Sequence, residues 1–169
     1  VFIVLPVITF FWGWTNLFIS IMGTIILIVV SVYMYRCVKN EFVISITENR
    51  RFWIIPIAII ALWCLFSGIG EFSFQSYDFY ARNTFFKDLC NSNWPISFDM
   101  SKQPEAIQNL LGNVKECNLV YYYAWWLPVA GLVKIFNLNH SVANVLLLLY
   151  TIFEVFLIYY CLLNIIKRY

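Results

Sequence analysis

Long apolar runs separated by short polar breaks dominate the chain. The first run, Val1–Tyr35, contains no charged residue. As one helix it would be roughly 50 Å long, against a hydrocarbon core of about 30 Å. A break is therefore expected at Gly13-Trp14-Thr15-Asn16, where a glycine, two polar residues and interfacial tryptophans cluster. This leaves Val1–Phe11 as a stub too short to span and Leu17–Tyr35 as a complete span. The stub lacks an initiator Met and a basic flank, so it does not read as a signal peptide. A chain that starts inside a transmembrane helix is the preferred expectation; a re-entrant or interfacial stub is the other.

The same pattern divides the remainder. Residues 1–36 form the partial helix and first span, and 37–51 a cytoplasmic loop. A second span covers 52–69. An extracytoplasmic loop, 70–140, carries helices at about 76–90 and 119–136, and the last span is 141–166. The implied fold class is all-α, a polytopic helical membrane protein with a long outer loop holding amphipathic juxtamembrane helices.

Composition strengthens the lipid reading. Hydrophobic residues make up 62% and charged residues 12% of the 169. An ordinary soluble domain has about 45–50% apolar and about 25% charged residues. A small water-soluble globule cannot hide such an excess, because much of its surface stays wet. A soluble enzyme, a disordered chain and a free nucleic-acid binder are excluded. The net charge of +2 is too small to imply a polyanion partner. Membrane lipids are the expected surroundings, in a multi-pass protein of the bacterial plasma membrane.

Charge position sets the topology. Arg36, Lys39, Arg50 and Arg51 flank spans, and Lys167-Arg168 ends the last one. Positive residues favour the cytoplasmic side. Both groups lie inside only if a single crossing separates the long loop from Lys167. Leu119–Phe136 is therefore expected to lie on the outer interface, with Pro128 breaking it.

Candidate chemistry concentrates in the loop, which is far longer than a connection needs. Ser76 is a candidate N-cap for a helix with Asp78 in its first turn. Helical spacing aligns Asp78, Arg82, Phe85 and Leu89, with Phe79, Phe86 and Cys90 beside them. Lys87 and Asp88 fall on the wet face. An Asp78–Arg82 ion pair at i,i+4 is the ordinary reading. The sharper one is a membrane-surface site, with Asp78 as base or metal ligand and Arg82 as phosphate binder.

Glu71, just past Gly68-Ile69-Gly70, reads as a solvated helix-end carboxylate or as a second acid. Glu154 falls near mid-membrane on one face with His140, Asn144, Thr151 and Cys161. It is either hydrogen-bonded to another helix or part of a cavity or proton path. His140 is the only histidine and a poor metal candidate by itself. Trp125 and Trp126 suit an interfacial belt or a stacking surface. Of five cysteines, Cys90 and Cys117 share the loop and are either free thiols or a bridge.

Tyr77-Asp78-Phe79-Tyr80-Ala81-Arg82, followed by Leu89 and Trp94-Pro95, resembles the first outer loop of GT-C-type membrane glycosyltransferases. Leu119-Val120-Tyr121-Tyr122-Tyr123-Ala124-Trp125-Trp126-Leu127 with Lys134-Ile135-Phe136-Asn137 resembles the "Leu-Tyr-Tyr-Trp … Lys-Leu-Phe-Gly" stretch of that superfamily. The order and spacing agree over about Gly70 to Arg168. Departures are Phe79 in place of a second acid, Cys117-Asn118 in place of Pro-Pro, and Asn137 in place of Gly.

The resemblance implies a polyprenyl-phosphate-linked sugar as donor and transfer on the outer face. Asp78 would be the base, and Arg82 or Lys134 would face the donor phosphate. A divalent metal, Mg or Mn, is implied because several members use one. It also implies that this is the N-terminal portion of a longer enzyme. A non-enzymatic membrane interaction or assembly protein and a transporter fragment are the alternatives.

Overall fold

The computed structural model describes residues 2–39, 50–110, 112, 114–119 and 123–168. Most of the expected cytoplasmic segment 37–51, and Tyr121 and Tyr122, lie outside these. The order is α1 (Val4–Trp14), α2 (Leu17–Val38), α3 (Arg50–Phe66), α4 (Tyr77–Asn91), β1 (Ser97–Asp99), α5 (Glu105–Leu110), β2 (Glu116–Asn118), α6 (Leu127–Phe136) and α7 (His140–Arg168).

The break expected in the first run is present. Thr15 turns extended, and the Asn16 side chain caps α2 by accepting from the Ile19 amide at 2.9 Å. This satisfies one of the first-turn donors that a helix cannot pair internally. The two helices fold back on each other. The Ser20 hydroxyl donates to the Phe11 carbonyl at 2.8 Å, and the Trp12 indole donates to Thr24 Oγ1 at 3.1 Å. Beyond Ser20, α2 buries no residue. It exposes apolar side chains on every face, which is stable only against lipid or further apolar helices.

α2 and α7 are long and apolar enough to cross a membrane. α3 ends at Phe66, not at Ile69, because Gly68 takes φ +93° and starts a turn. Its 17 described residues span about 25 Å. α3 and α7 run antiparallel. Trp53, 3% exposed at the start of α3, packs on Phe156, Tyr159 and Tyr160, while Gly70 at the other end abuts Asn144.

The main core lies at the loop end of these helices. Phe86 and Leu89 of α4, Leu127, Val129, Ala130 and Val133 of α6, and Ala143 and Leu147 of α7 bury one another. Pro128 sits in the first turn of α6, where its missing N–H costs nothing. Among the described residues of the expected 119–136 element, α-helical backbone covers Leu127–Phe136, preceded by a 3-10 turn at Ala124–Trp126. Trp94 joins the layers. Its indole donates to the Leu89 carbonyl at 2.8 Å, and its ring lies against Gly13, where a Cβ would fall 2.6 Å away.

The helical class expected from the sequence is seen in the fold. The molecule is mostly helical, but the loop also holds an antiparallel ribbon. Ser97 faces Asn118, Phe98 faces Cys117 and Asp99 faces Glu116. Three-residue strands are too short for a period-two pattern to stand out in sequence.

Candidate functional site

The loop residues meet where α3 hands over to α4. Gly68 and Gly70 adopt φ +93° and +74°, and Glu71 follows at +67°, a left-handed conformation that favours glycine. The turn is held from both sides. Gln75 donates to the Gly68 carbonyl at 2.9 Å and accepts from Asn83 of α4 at 2.8 Å. On the other side Glu71 Oε2 accepts from Asn144 Nδ2 at 3.0 Å and lies 3.2 Å from His140 Nε2. His140 Nε2 also lies 3.3 Å from Asn144 Nδ2, so the three side chains form one hydrogen-bonded cluster.

Glu71 is therefore bonded to the first turns of α7 and not simply solvated at a helix end. His140 and Asn144 were legible as one helix face by their i,i+4 spacing. Their partner, some 70 residues earlier in the chain, was not.

Asp78 and Arg82 form the i,i+4 pair, with Oδ2 2.6 Å from a guanidinium nitrogen. Asp78 is 60% exposed, so its expected apolar setting needs correction. The buried face of α4 is centred on Phe86, Leu89 and Cys90, which leaves Asp78 on its edge. Asp88, expected on the wet face, is half-buried, and desolvation raises its carboxyl above the usual range. Arg82 reaches inward. Its guanidinium carbon lies 5.5 Å from the Phe79 ring centre, and its Nε is buried without a hydrogen-bond partner.

Arg82 lines a cavity of about 200 Å³ with Phe79, Asn83, Gly70, Trp125 and Trp126. Three of the sequence candidates, Arg82, Trp125 and Trp126, thus line one cavity. Trp126 is 6% exposed. The Trp125 indole donates to Glu154, so this mid-helix carboxyl is bonded to another element, in line with the ordinary reading. Below it, an apolar groove of about 750 Å³ runs past Phe2, Glu154, Ile158 and Leu162. Cys161 is exposed along that groove, whereas Asn144 and Thr151 are buried.

Lys134 is placed elsewhere. It donates to the Ser92 carbonyl at the C-terminus of α4 and sits 5.2 Å from the Trp94 ring centre. A cation there offsets the helix dipole. Ser92 lies about 20 Å along α4 from Asp78 by helical rise, so Lys134 and Asp78 do not converge. Burial lowers the Lys134 ammonium below its usual range and pushes the neighbouring Cys90 thiol up to about 12. Cys90 is buried and Cys117 exposed, both as free thiols, so the bridge that would have joined them is not formed.

The residues around Asp78 do not fit the divalent metal that the resemblance implies. The carboxylate is paired to a guanidinium, which opposes a cation. No three His, Cys, Asp or Glu side chains converge among the described residues. Comparison with known proteins gives no matching family model, no matching curated protein and no matching solved structure.

Proposed function

We propose that this chain is the donor-side part of a multi-pass membrane glycosyltransferase. It takes a sugar from a polyprenyl-phosphate donor and passes it to an acceptor on the outer face. The observation that carries the reading is the shared cavity. A guanidinium with an unspent buried N–H and two indoles line one cavity, at the loop end of helices apolar enough for lipid.

At about 200 Å³ the cavity is smaller than the ~300–1,000 Å³ of sites for whole drug-sized ligands. It suits a phosphate and part of a sugar. The apolar groove past Phe2 and Leu162 suits a hydrocarbon chain, and the Trp125–Glu154 contact separates the two compartments.

Arg82 has five N–H donors, and the contact to Asp78 engages one side of its fork. A donor phosphate takes the remaining donors and draws guanidinium charge away from Asp78. The acceptor hydroxyl then loses its proton to Asp78 as its oxygen attacks the anomeric carbon. The bond from that carbon to the phosphate oxygen breaks, and polyprenyl phosphate leaves with Arg82 offsetting its charge. In this scheme Trp125, which is less buried than Trp126, supplies apolar surface for the sugar.

The test is transfer from a polyprenyl-phosphate-linked sugar in proteoliposomes carrying the complete protein. Asp78→Asn should abolish transfer while leaving insertion intact. Arg82→Lys, which loses the fork, should weaken donor use by about tenfold or more. Undiminished transfer in Asp78→Asn would remove the base from this scheme.

A further inference from the structure

Asn83 lines the cavity beside Arg82 and takes no part in the scheme above. Its orientation follows from its neighbours. The Gln75 amide nitrogen lies 2.9 Å from both the Gly68 and the Ser73 carbonyl oxygens. Carbonyls only accept, so the end of Gln75 between them is its NH2 group, and both hydrogens are spent there. Gln75 therefore turns Oε1 towards Asn83, and Asn83 donates an N–H to it at 2.8 Å. This settles which end of the Asn83 amide is which, a choice that side-chain shape alone leaves open. Asn83 retains one N–H and Oδ1, and Oδ1 accepts no hydrogen bond from the described residues.

The other polar groups of the lining carry the same sign. Ser67 donates its hydroxyl hydrogen to the Cys64 carbonyl at 2.7 Å, so its oxygen can only accept a further bond. The Trp125 indole spends its N–H on Glu154. Arg82 supplies charged donors and no acceptor. Successive residues of α4 stand about 100° apart around its axis, so Arg82 and Asn83 reach different parts of one ligand.

The lining thus requires two features together: an anionic oxygen for Arg82, and O–H or N–H hydrogens for Asn83 and Ser67. A bare phosphate ester has the first and not the second. A sugar hydroxyl next to that phosphate completes the set. It donates to Asn83 Oδ1 and accepts from the remaining N–H of the same amide.

We infer that Asn83 is a specificity-determining residue of this cavity, reading a hydroxyl of the sugar beside the donor phosphate, with Gln75 as the positioning residue that holds its amide. The inference rests on the reading of the cavity as a sugar-phosphate site. A ligand without that hydroxyl leaves Oδ1 facing it unpaired, which costs more than a simple exchange of one hydrogen bond for another.

The test is equilibrium binding to the purified chain in nanodiscs, read by saturation-transfer NMR. The probes are glucosyl, mannosyl and galactosyl phosphate. Methyl phosphate serves as the ester without hydroxyls, and monodeoxy analogues of the tightest sugar phosphate remove its hydroxyls one at a time. Methyl phosphate and one monodeoxy analogue should bind at least about tenfold more weakly than the parent. Asn83→Ala should weaken the parent to the level of that analogue and leave the analogue itself unchanged. A purely structural role would weaken every ligand alike.

Asn83→Ala also unpairs Gln75, so the unsubstituted protein supplies an arm that does not depend on the variant folding. Equal binding of all the monodeoxy analogues, or no binding of any glycosyl phosphate, would overturn the role of Asn83. Discrimination that survives Asn83→Ala would overturn it as well. Transfer is scored separately. Discrimination through Asn83 with intact transfer in Asp78→Asn would sink the base and keep the sugar contact. Equal binding of the analogues with transfer lost in Asp78→Asn would sink the sugar contact and keep the transferase reading.

Discussion

Gly70→Ala tests the turn on which Glu71 depends. Gly70 has φ +74°, and a Cβ there would stand 2.8 Å from the Asn144 carbonyl oxygen and 2.8 Å from the Phe72 ring. The left-handed conformation costs an alanine about 1–2 kcal/mol. The clash adds about 1–3 kcal/mol, because the carbonyl belongs to the α7 backbone and cannot swing aside. A loss of about 3 kcal/mol corresponds to a fall of about 10 °C in Tm for a chain of this size.

Gly112→Ala is the internal control. Gly112 has φ +71° with nothing among the described residues within 4 Å of its Cβ position, so it loses the conformational part alone, about 3 °C. The assay is thermal unmasking of buried thiols by a maleimide dye in detergent. Cys64 and Cys90 are 5% and 9% exposed and report unfolding, while Cys37, Cys117 and Cys161 are replaced by serine to lower the background. Equal melting of the two variants would refute the close approach of Gly70 to α7, and with it the geometry assigned to Glu71.

Three further outcomes follow from packing and charge. Leu127→Ala, at 0% exposure in the core of α4, α6 and α7, should cost about 2–5 kcal/mol and lower Tm in the same assay, whereas Leu132→Ala on the exposed face of α6 should not. Cys90, with its thiol pushed up to about 12, should stay unmodified by maleimide at pH 8 in the folded protein while exposed Cys117 reacts, and reduction should leave the intact mass unchanged. The Ser101 hydroxyl and amide, and then Lys102, hold the Asp99 carboxyl below its usual range; this stability is present above about pH 4 and lost as pH falls through the lower folded value, so Ser101 amide exchange should accelerate on acidification, and Ser101→Ala should move that transition upward.

What could be read from sequence was local. The α1–α2 break followed from helix length and from Asn16 as a cap. The start of α4 just after Ser76 followed from sequence, although the Ser76 side chain makes no capping hydrogen bond, and the Asp78–Arg82 pair followed from i,i+4 spacing. What could not be read depends on how helices rotate against one another. Helical periodicity placed Asp78 on the apolar face of α4, and packing turned that face towards Phe86 and Cys90. Lys134 was chosen for its charge, yet only the docking of α6 on the end of α4 shows that Ser92 takes it. Glu71 could not be assigned partners before α3 and α7 were known to run antiparallel.

That antiparallel arrangement also bears on membrane orientation. Trp53 meets Tyr159 and Tyr160 at one end of the α3–α7 pair, and Gly70 meets Asn144 at the other. Arg50, Arg51, Lys167 and Arg168 therefore share one end. α1 runs towards the opposite end, since Phe2 packs on Tyr150 and Phe153 while Trp14 packs on Trp94 and Tyr123. α2 folds back from it and carries Arg36 and Lys39 to the basic end. In the proposed membrane topology, positive residues near helix ends favour the cytoplasm, so α4, the ribbon and α6 are expected outside. α6 is only 10 residues, about 15 Å, and cannot cross. Forcing it through would also break the bonds from Lys134 to Ser92 and from Trp125 to Glu154. A cysteine at position 102, beside exposed Asp99, should therefore react with an impermeant maleimide added outside intact cells. Labelling only after the membrane is opened would reverse the orientation and remove the cavity from the outer face.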